Sequence, residues 1–259
     1  MIERVTISIP ELNSMKKYPK ELYSLGDLAL LKRRKVSIVG TRRPSTYTKQ
    51  YTHLLGQELV KRGVALVSGA AMGVDAIVHT SAGSANTIAV VASSLDIRYP
   101  SINRQLIESI ENEGLVLSQF PATTTAAPWS FVIRNELVVA LGEVLIVTEA
   151  DSNSGSMRSV EYALKMGKEI YVLPHKIGES RGTNQLLEEG LAKPIYNIEA
   201  FANLFGVEPK NSGIEKDEFF YFCQTSPTLD DAILKFQDRV YEAELEGIIQ
   251  IENGLVRLV

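Results

Sequence analysis

Cysteine is almost absent from this chain: Cys223 is the only one in 259 residues. No disulfide can close within the chain, and the cysteine-rich zinc modules are excluded. There is one Trp, and the three histidines, His53, His79 and His175, stand singly, with neither HExxH nor triad spacing around them. No apolar run comes near the roughly 20 residues a membrane helix needs, because the longest, 138–147, is broken by Gly142-Glu143. The first residues, MIERVTISIPEL, alternate apolar with polar and carry Glu3 and Glu11, which is unlike a secretory signal. What is present in ordinary amount is the material of a core, 45% hydrophobic against 22% charged, which excludes global disorder. The length allows one large domain, or one large and one small. The expectation is a soluble, cytoplasmic protein with no membrane partner, no metal and no cofactor.

A net charge of −4 argues against a polyanion as partner until its distribution is read. Residues 207–259 hold 11 acids and 5 bases, leaving 1–206 slightly basic. Within that part, 28–57 carries Lys32, Arg33, Arg34, Lys35, Arg42, Arg43 and Lys49 with no acid. Such a stretch is either a local positive field or a solvated face.

From residue 35 to about 197, short β-branched runs alternate with helical periods. Strands are expected at 36–39, 64–68, 87–92, 115–118, 144–149, 169–173 and 195–196, near-continuously apolar, as strands covered on both faces are. Helices are expected between them, one with Tyr47, Tyr51, Leu54, Leu55 and Leu59 on a stripe, others over 73–82, from Ser101, and over 131–141, 155–166 and 183–189. This alternation implies an α/β fold, a Rossmann-like parallel sheet with helices on both faces, whose ligands bind at the carboxyl ends of the strands. Residues 1–35 read as an N-terminal extension, 36–205 as the Rossmann-like domain and 206–217 as a linker. In 218–259, a capped helix from Thr228, a second over 236–245 and a hairpin turning at Asn253-Gly254 suggest a small winged-helix-like domain.

Three loops at the carboxyl ends carry chemistry. The first, Gly40-Thr41-Arg42-Arg43-Pro44-Ser45, leads into a helix that Ser45 or Thr46 can cap; its free N–H groups and two arginines suit a phosphate, and Lys49 lies one turn on. The second, Ser68 and Gly69 to Asp75, is neither GxGxxG nor GxxxxGK[ST], which removes the main support for dinucleotide and P-loop readings. The third ends in Ser154-Gly155-Ser156, a nest at a helix start that is not GxSxG. Between them, Trp129 and Phe131 precede Arg134 and Asn135, as a platform for unpaired bases or an aromatic plug under a loop. No residue is expected to be catalytic, and Cys223, in FFYFC, is expected in a core.

In this order the loops resemble the DprA/Smf family of bacterial DNA-processing proteins, through VSIVGTRRPS (36–45), LVSGAAMGVDAIVH (66–79), TIAVVASSLDIRYPSIN (87–103), FVIRNELVVALGEVLIVTEADSNSGSM (131–157) and GTNQLLEEGLA (182–192). The resemblance spans about 19–200. It implies a Rossmann-like domain that binds single-stranded DNA, forms a homodimer, protects incoming DNA and loads the RecA recombinase during natural transformation, without a required enzymatic activity. Carried over, the phosphate pocket would use Arg42, Arg43, Ser45, Ser68, Gly69, Arg134, Asn135, Ser154, Gly155 and Ser156. Glu136 stands where the family has a second basic residue, and Ser93-Ser94 where it has a Gly-rich turn. The enzyme alternative, a nucleotide-processing hydrolase with Asp75 or Glu149 as its acid, lacks the PGGxGT-E string of such proteins.

Overall fold

A computed structural model describes residues 2–206, 218–245 and 248–258. The chain divides into two units, Met1–Glu208 and Pro209–Val259. The strands of the first are β1 (Glu3–Arg4), β2 (Tyr23–Gly26), β3 (Lys35–Val39), β4 (Ala65–Ser68), β5 (Thr87–Val90), β6 (Leu115–Ser118), β7 (Leu145–Val147), β8 (Ile170–Val172) and β9 (Lys193–Pro194). They form one sheet in the order β1-β2-β6-β5-β4-β3-β7-β8-β9. From β6 to β9 every pair is parallel, whereas β2 runs antiparallel to β6 and β1 antiparallel to β2.

Helices cover both faces. The strands alternate their side chains between the two, so Val36 and Ile38 point one way and Val39 the other. Beneath one face lie α1 (Thr46–Lys61), α2 (Val74–Ala82), α3 (Arg104–Glu113) and α7 (Ile198–Ala202), which bury Leu55, Leu59, Val78, Ile110 and Phe201. The other face is covered by α4 (Pro128–Leu141), α5 (Gly155–Lys165) and α6 (Arg181–Glu188), through Leu137, Leu141, Val160, Ala163 and Leu186. Side chains such as Ile38 and Leu66, with no exposed surface, each stabilise the fold by about 1.5–3 kcal/mol. The buried line of α1 runs through Thr48, Thr52, Leu55 and Leu59, not through Tyr47 and Leu54, which are exposed.

Two expectations are corrected here. Residues 1–35 are not an appendage: β1 and β2 extend the sheet, and Ile9, Leu12, Leu22, Leu30 and Leu31 belong to its core. The last strand is Lys193–Pro194 rather than 195–196, at the sheet edge, where a proline forfeits no ladder hydrogen bond.

The second unit holds α8 (Glu218–Cys223), α9 (Leu229–Phe236), α10 (Arg239–Leu245) and the antiparallel pair β10 (Ile249–Glu252) and β11 (Leu255–Leu258). Thr228 caps α9, accepting from the Asp231 N–H at 3.2 Å. Asn253 and Gly254 both take positive φ, as the two-residue hairpin turn demands. Cys223 is buried in this unit's core with Phe219, Val240 and Val256. Of the expected linker 206–217, residues 207–217 lie outside the described residues.

Candidate functional site

The sheet reverses direction beside β3. From β3 the chain steps outward through β4, β5 and β6, then returns to β7 on the other side of β3. The loops leaving β3 and β7 therefore diverge and open a crevice, where ligands of such sheets bind. A cleft of about 430 Å³ fills it, lined by Gly40, Thr41 and Arg42 after β3, Gly69 and Asp75 after β4, Phe131, Arg134 and Asn135 of α4, and Ser154, Gly155, Ser156 and Ser159 around the start of α5.

Arg134 forms the floor. It is 4% exposed, its Nη1 donates to the Val90 carbonyl at 3.0 Å, and the same nitrogen lies 3.8 Å from Asp75 Oδ2. Burial lowers its pKa, countered by Asp75 and reinforced by Arg42; burial likewise raises the Asp75 carboxyl, against the pull of Arg134. Its Nε is buried and has no hydrogen-bond partner, a costly state unless an acceptor enters the cleft. Gly69 makes this placement possible, since a Cβ there would lie 1.4 Å from Arg134 Nη1.

The loop carrying Gly69 is braced by His79, which has no exposed surface. The Ala70 N–H donates to His79 Nε2 at 3.2 Å and Nδ1 contacts Thr87 Oγ1 at 2.7 Å; Thr87 in turn donates to the Leu66 carbonyl. The ring is thus neutral with its proton on Nδ1, and burial depresses its pKa to about 3. Ala70 takes φ +55, a left-handed conformation that this bond helps to hold.

Two helix starts face the crevice, in different states. At α1, Glu149 Oε2 accepts from the Ser45 N–H at 3.0 Å and from Ser45 Oγ at 2.9 Å. Burial draws the Glu149 carboxyl upward, but hydrogen bonds from Thr48 and Ser45 outweigh it and hold it below the usual range. An internal carboxylate therefore sits where the sequence suggested a phosphate, and Ser45 is engaged. At α5 the Met157 N–H already donates to the Ser154 carbonyl at 3.1 Å, which leaves the Gly155 and Ser156 N–H groups at the helix start, and the buried Ser154 Oγ has no partner. Asn135 Nδ2 reaches the Gly155 carbonyl at 3.4 Å, tying α4 to this start.

Of the residues singled out in the sequence, Arg42, Gly69, Phe131, Arg134, Asn135, Ser154, Gly155 and Ser156 meet in the cleft. Ser68 does not: it is fully buried and its hydroxyl donates to the Ile38 carbonyl at 2.7 Å. Arg43 and Lys49 are exposed beyond the lining, neither in an ion pair among the described residues. Phe131 packs under Arg42, whose guanidinium carbon lies 5.2 Å from the ring centroid. Trp129 lies outside the cleft lining, 54% exposed, edge-on to Phe120 at 5.6 Å. Ser159 was missed, although it lies three residues after Ser156 and so on the same helix face.

The basic stretch 28–57 is divided by β3. Arg42, Arg43 and Lys49 lie at its carboxyl end, while Lys32 to Lys35 lie at the amino end, roughly 15 Å away. There Lys35 pairs with Glu11 at 2.6 Å, Arg34 with Glu143 at 2.6 Å, and Arg33 donates to the Gly63 carbonyl and to Asn86. The seven cations thus divide into three near the cleft that form no ion pair among the described residues, a structural network of Arg33, Arg34 and Lys35, and an exposed Lys32 at the far end of the strand. Glu136, two residues after Arg134, turns away and accepts from the Lys16 N–H at 2.9 Å.

Residues 8–206 match the family model of DNA recombination-mediator protein A. DNA processing protein DprA of Bacillus subtilis is 35% identical over 193 residues, 73% of this chain and 65% of that protein. Protein Smf of Synechocystis is 34% identical over 205 residues, covering 75% and 52%. The chain thus spans about half to two thirds of these curated relatives. The structure addressing the single-stranded DNA binding mode of DNA processing protein A from Helicobacter pylori superposes with a TM-score of 0.77 at 42% identity, covering 79% of this chain and 95% of that one. The X-ray structure of DprA from Streptococcus pneumoniae gives 0.73 at 31%, covering 80% and 75%.

Proposed function

This chain belongs to the DNA recombination-mediator protein A family, the DprA/Smf proteins, and on that premise we propose that it binds single-stranded DNA by drawing a backbone phosphate into the cleft beside β3. The observation that carries the reading is the Arg134 Nε, buried without a partner at the cleft floor, across from the open start of α5 with its unpartnered Ser154 Oγ. A phosphate supplies acceptors for both, and the helix start favours its charge. Arg42, exposed and in no ion pair among the described residues, turns from the Phe131 ring to neutralise that charge, which leaves the ring to the adjoining base.

The role is binding without catalysis. Asp75 is held by Arg134 and the Ala71 N–H, and Glu149 by Ser45, which disfavours either as the acid of a hydrolase. Protection of an incoming strand, loading of RecA, homodimerisation and a cytoplasmic setting complete the proposal and rest on family membership. Among the described residues no helix is long and apolar enough to cross a membrane.

Fluorescence anisotropy with single- and double-stranded oligonucleotides of equal length tests the reading. Arg42→Ala with Arg43→Ala should weaken single-strand binding for every sequence and flatten the dependence of log K on log salt by about 0.7 per lost phosphate contact. Unchanged affinity and slope, or equal affinity of the wild type for duplex, would refute it.

A further inference from the structure

Beyond the cleft, toward β9, the same sheet edge carries exposed aromatic residues that no part of the site uses. Tyr47, at the start of α1, is 39% exposed; its ring lies 4.7 Å from Tyr51 and 5.3 Å from His175, edge-on to the latter. His175 follows β8 and is fixed by donating from Nε2 to the Thr148 carbonyl at 2.8 Å. Tyr196, just past β9, is 82% exposed. β3, β7, β8 and β9 are consecutive neighbours, about 5 Å apart, so the segments that follow β3, β8 and β9, with Tyr47, His175 and Tyr196, succeed one another along this edge on the side of the crevice away from β4. Two cations accompany it in sequence, Arg43 four residues before Tyr47 and Lys176 next to His175, both exposed and without an ion pair among the described residues. A rigid aromatic cluster beside unpaired cations is the surface that sequence-tolerant binding of unpaired bases requires.

We propose that Tyr47, braced by Tyr51 and His175, is a second base-stacking station, over which a single strand leaving the cleft continues toward Tyr196. The inference rests on the proposed function, since it extends that strand's path. Charge at Tyr47 favours nucleic acid over a second copy of the chain: Glu149, the acid bonded to the start of α1, is already satisfied by Ser45 and Thr48, and Arg43 and Lys176 form no ion pair among the described residues. The path is directional, because the station lies on the β8 side of the crevice and leaves the β4 side to other contacts.

Binding of oligothymidylates of about 4 and about 16 nucleotides separates the station from the cleft, the shorter filling the cleft alone. Tyr47→Ala should lose about tenfold in affinity for the longer strand and nothing for the shorter, with Tyr47→Phe close to wild type. Tyr196→Ala should show a smaller loss, also confined to the longer strand. Equal affinity of Tyr47→Ala and wild type for the longer strand, or an equal loss on both lengths, would overturn the station while Arg42- and Arg43-dependent binding stood. A variant whose mass by light scattering falls while its DNA affinity holds would assign the surface to a copy of the chain instead. Wild-type protein binding neither length overturns the proposed function, and this surface with it.

Discussion

Gly69→Ala is the smallest change that should separate the cleft from the fold around it. The added methyl would lie 1.4 Å from Arg134 Nη1, 2.3 Å from its Cζ and 2.6 Å from Asp75 Oδ2, so the guanidinium must leave. In leaving it gives up the Val90 carbonyl at 3.0 Å and the Asp75 carboxylate at 3.8 Å. Both charges are more than nine-tenths buried, and breaking such a pair costs about 3–5 kcal/mol; the lower figure applies, because the displaced guanidinium can reach water. A charge-assisted contact to phosphate contributes about 1.5–3 kcal/mol, so single-strand affinity should fall about ten- to a hundredfold. Urea unfolding reads the first effect and anisotropy the second, with circular dichroism confirming that the variant is folded. Wild-type stability would mean that Arg134 does not pack against Gly69. Wild-type or tighter DNA binding by a destabilised variant would mean that the buried rotamer is not the one that meets phosphate.

Two further variants probe the elements flanking the floor. His79 carries a folded-state pKa of about 3 against an ordinary 6.5, so the unfolded chain protonates first: its contribution is complete above about pH 6.5 and is lost as the pH falls toward 3. Between pH 7 and 4.5 the wild type should lose about 2–3 kcal/mol more than His79→Gln in urea unfolding, and parallel pH profiles would contradict the neutral, buried ring. Glu149→Gln removes the carboxylate at the start of α1, which should cost about 0.3–1 kcal/mol of stability and raise single-strand affinity two- to fivefold at low salt. The gain should vanish at high salt, and its absence at low salt would show that α1 contributes no field to the site.

The strands were legible because a strand buried on both faces is near-continuously apolar, and β3 to β8 are, with only an occasional buried Lys, Ser or Thr (KVSIV, ALVS, TIAV, LVLS, LIV, IYV). What escaped was structure that does not obey that pattern. β2 reads YSLG, is antiparallel and ends in a glycine at φ +106, so neither composition nor period marks it. Ile9, Leu12 and Leu30 reach the core from short turns of 3-10 helix, which have no amphipathic repeat to detect. The three loops of the site were legible from their small residues and the helix starts they lead into. The direction of individual hydroxyls was not. Ser68 ends a strand with its hydroxyl turned to the neighbouring backbone, and Ser45 meets a carboxylate 104 residues away.

The division of the basic run by β3 also bears on how the proposed site would tell single from double strands. A charge count over 28–57 favours any polyanion, duplex included, yet only Arg42, Arg43 and Lys49 of those seven cations stand near the cleft free of ion pairs. Three surface charges give affinity that salt erodes and no preference of strand. Discrimination has to come from Arg134, which an entering phosphate meets only at the floor of the cleft. A duplex holds its phosphates on a stiff convex ridge, whereas a single strand can fold one phosphate inward and turn the next base onto Phe131. Burying the arginine behind Gly69 therefore gives up part of its solvated strength for selectivity by shape. The preference for single strands should persist at high salt, after the contribution of Arg42 and Arg43 has been screened.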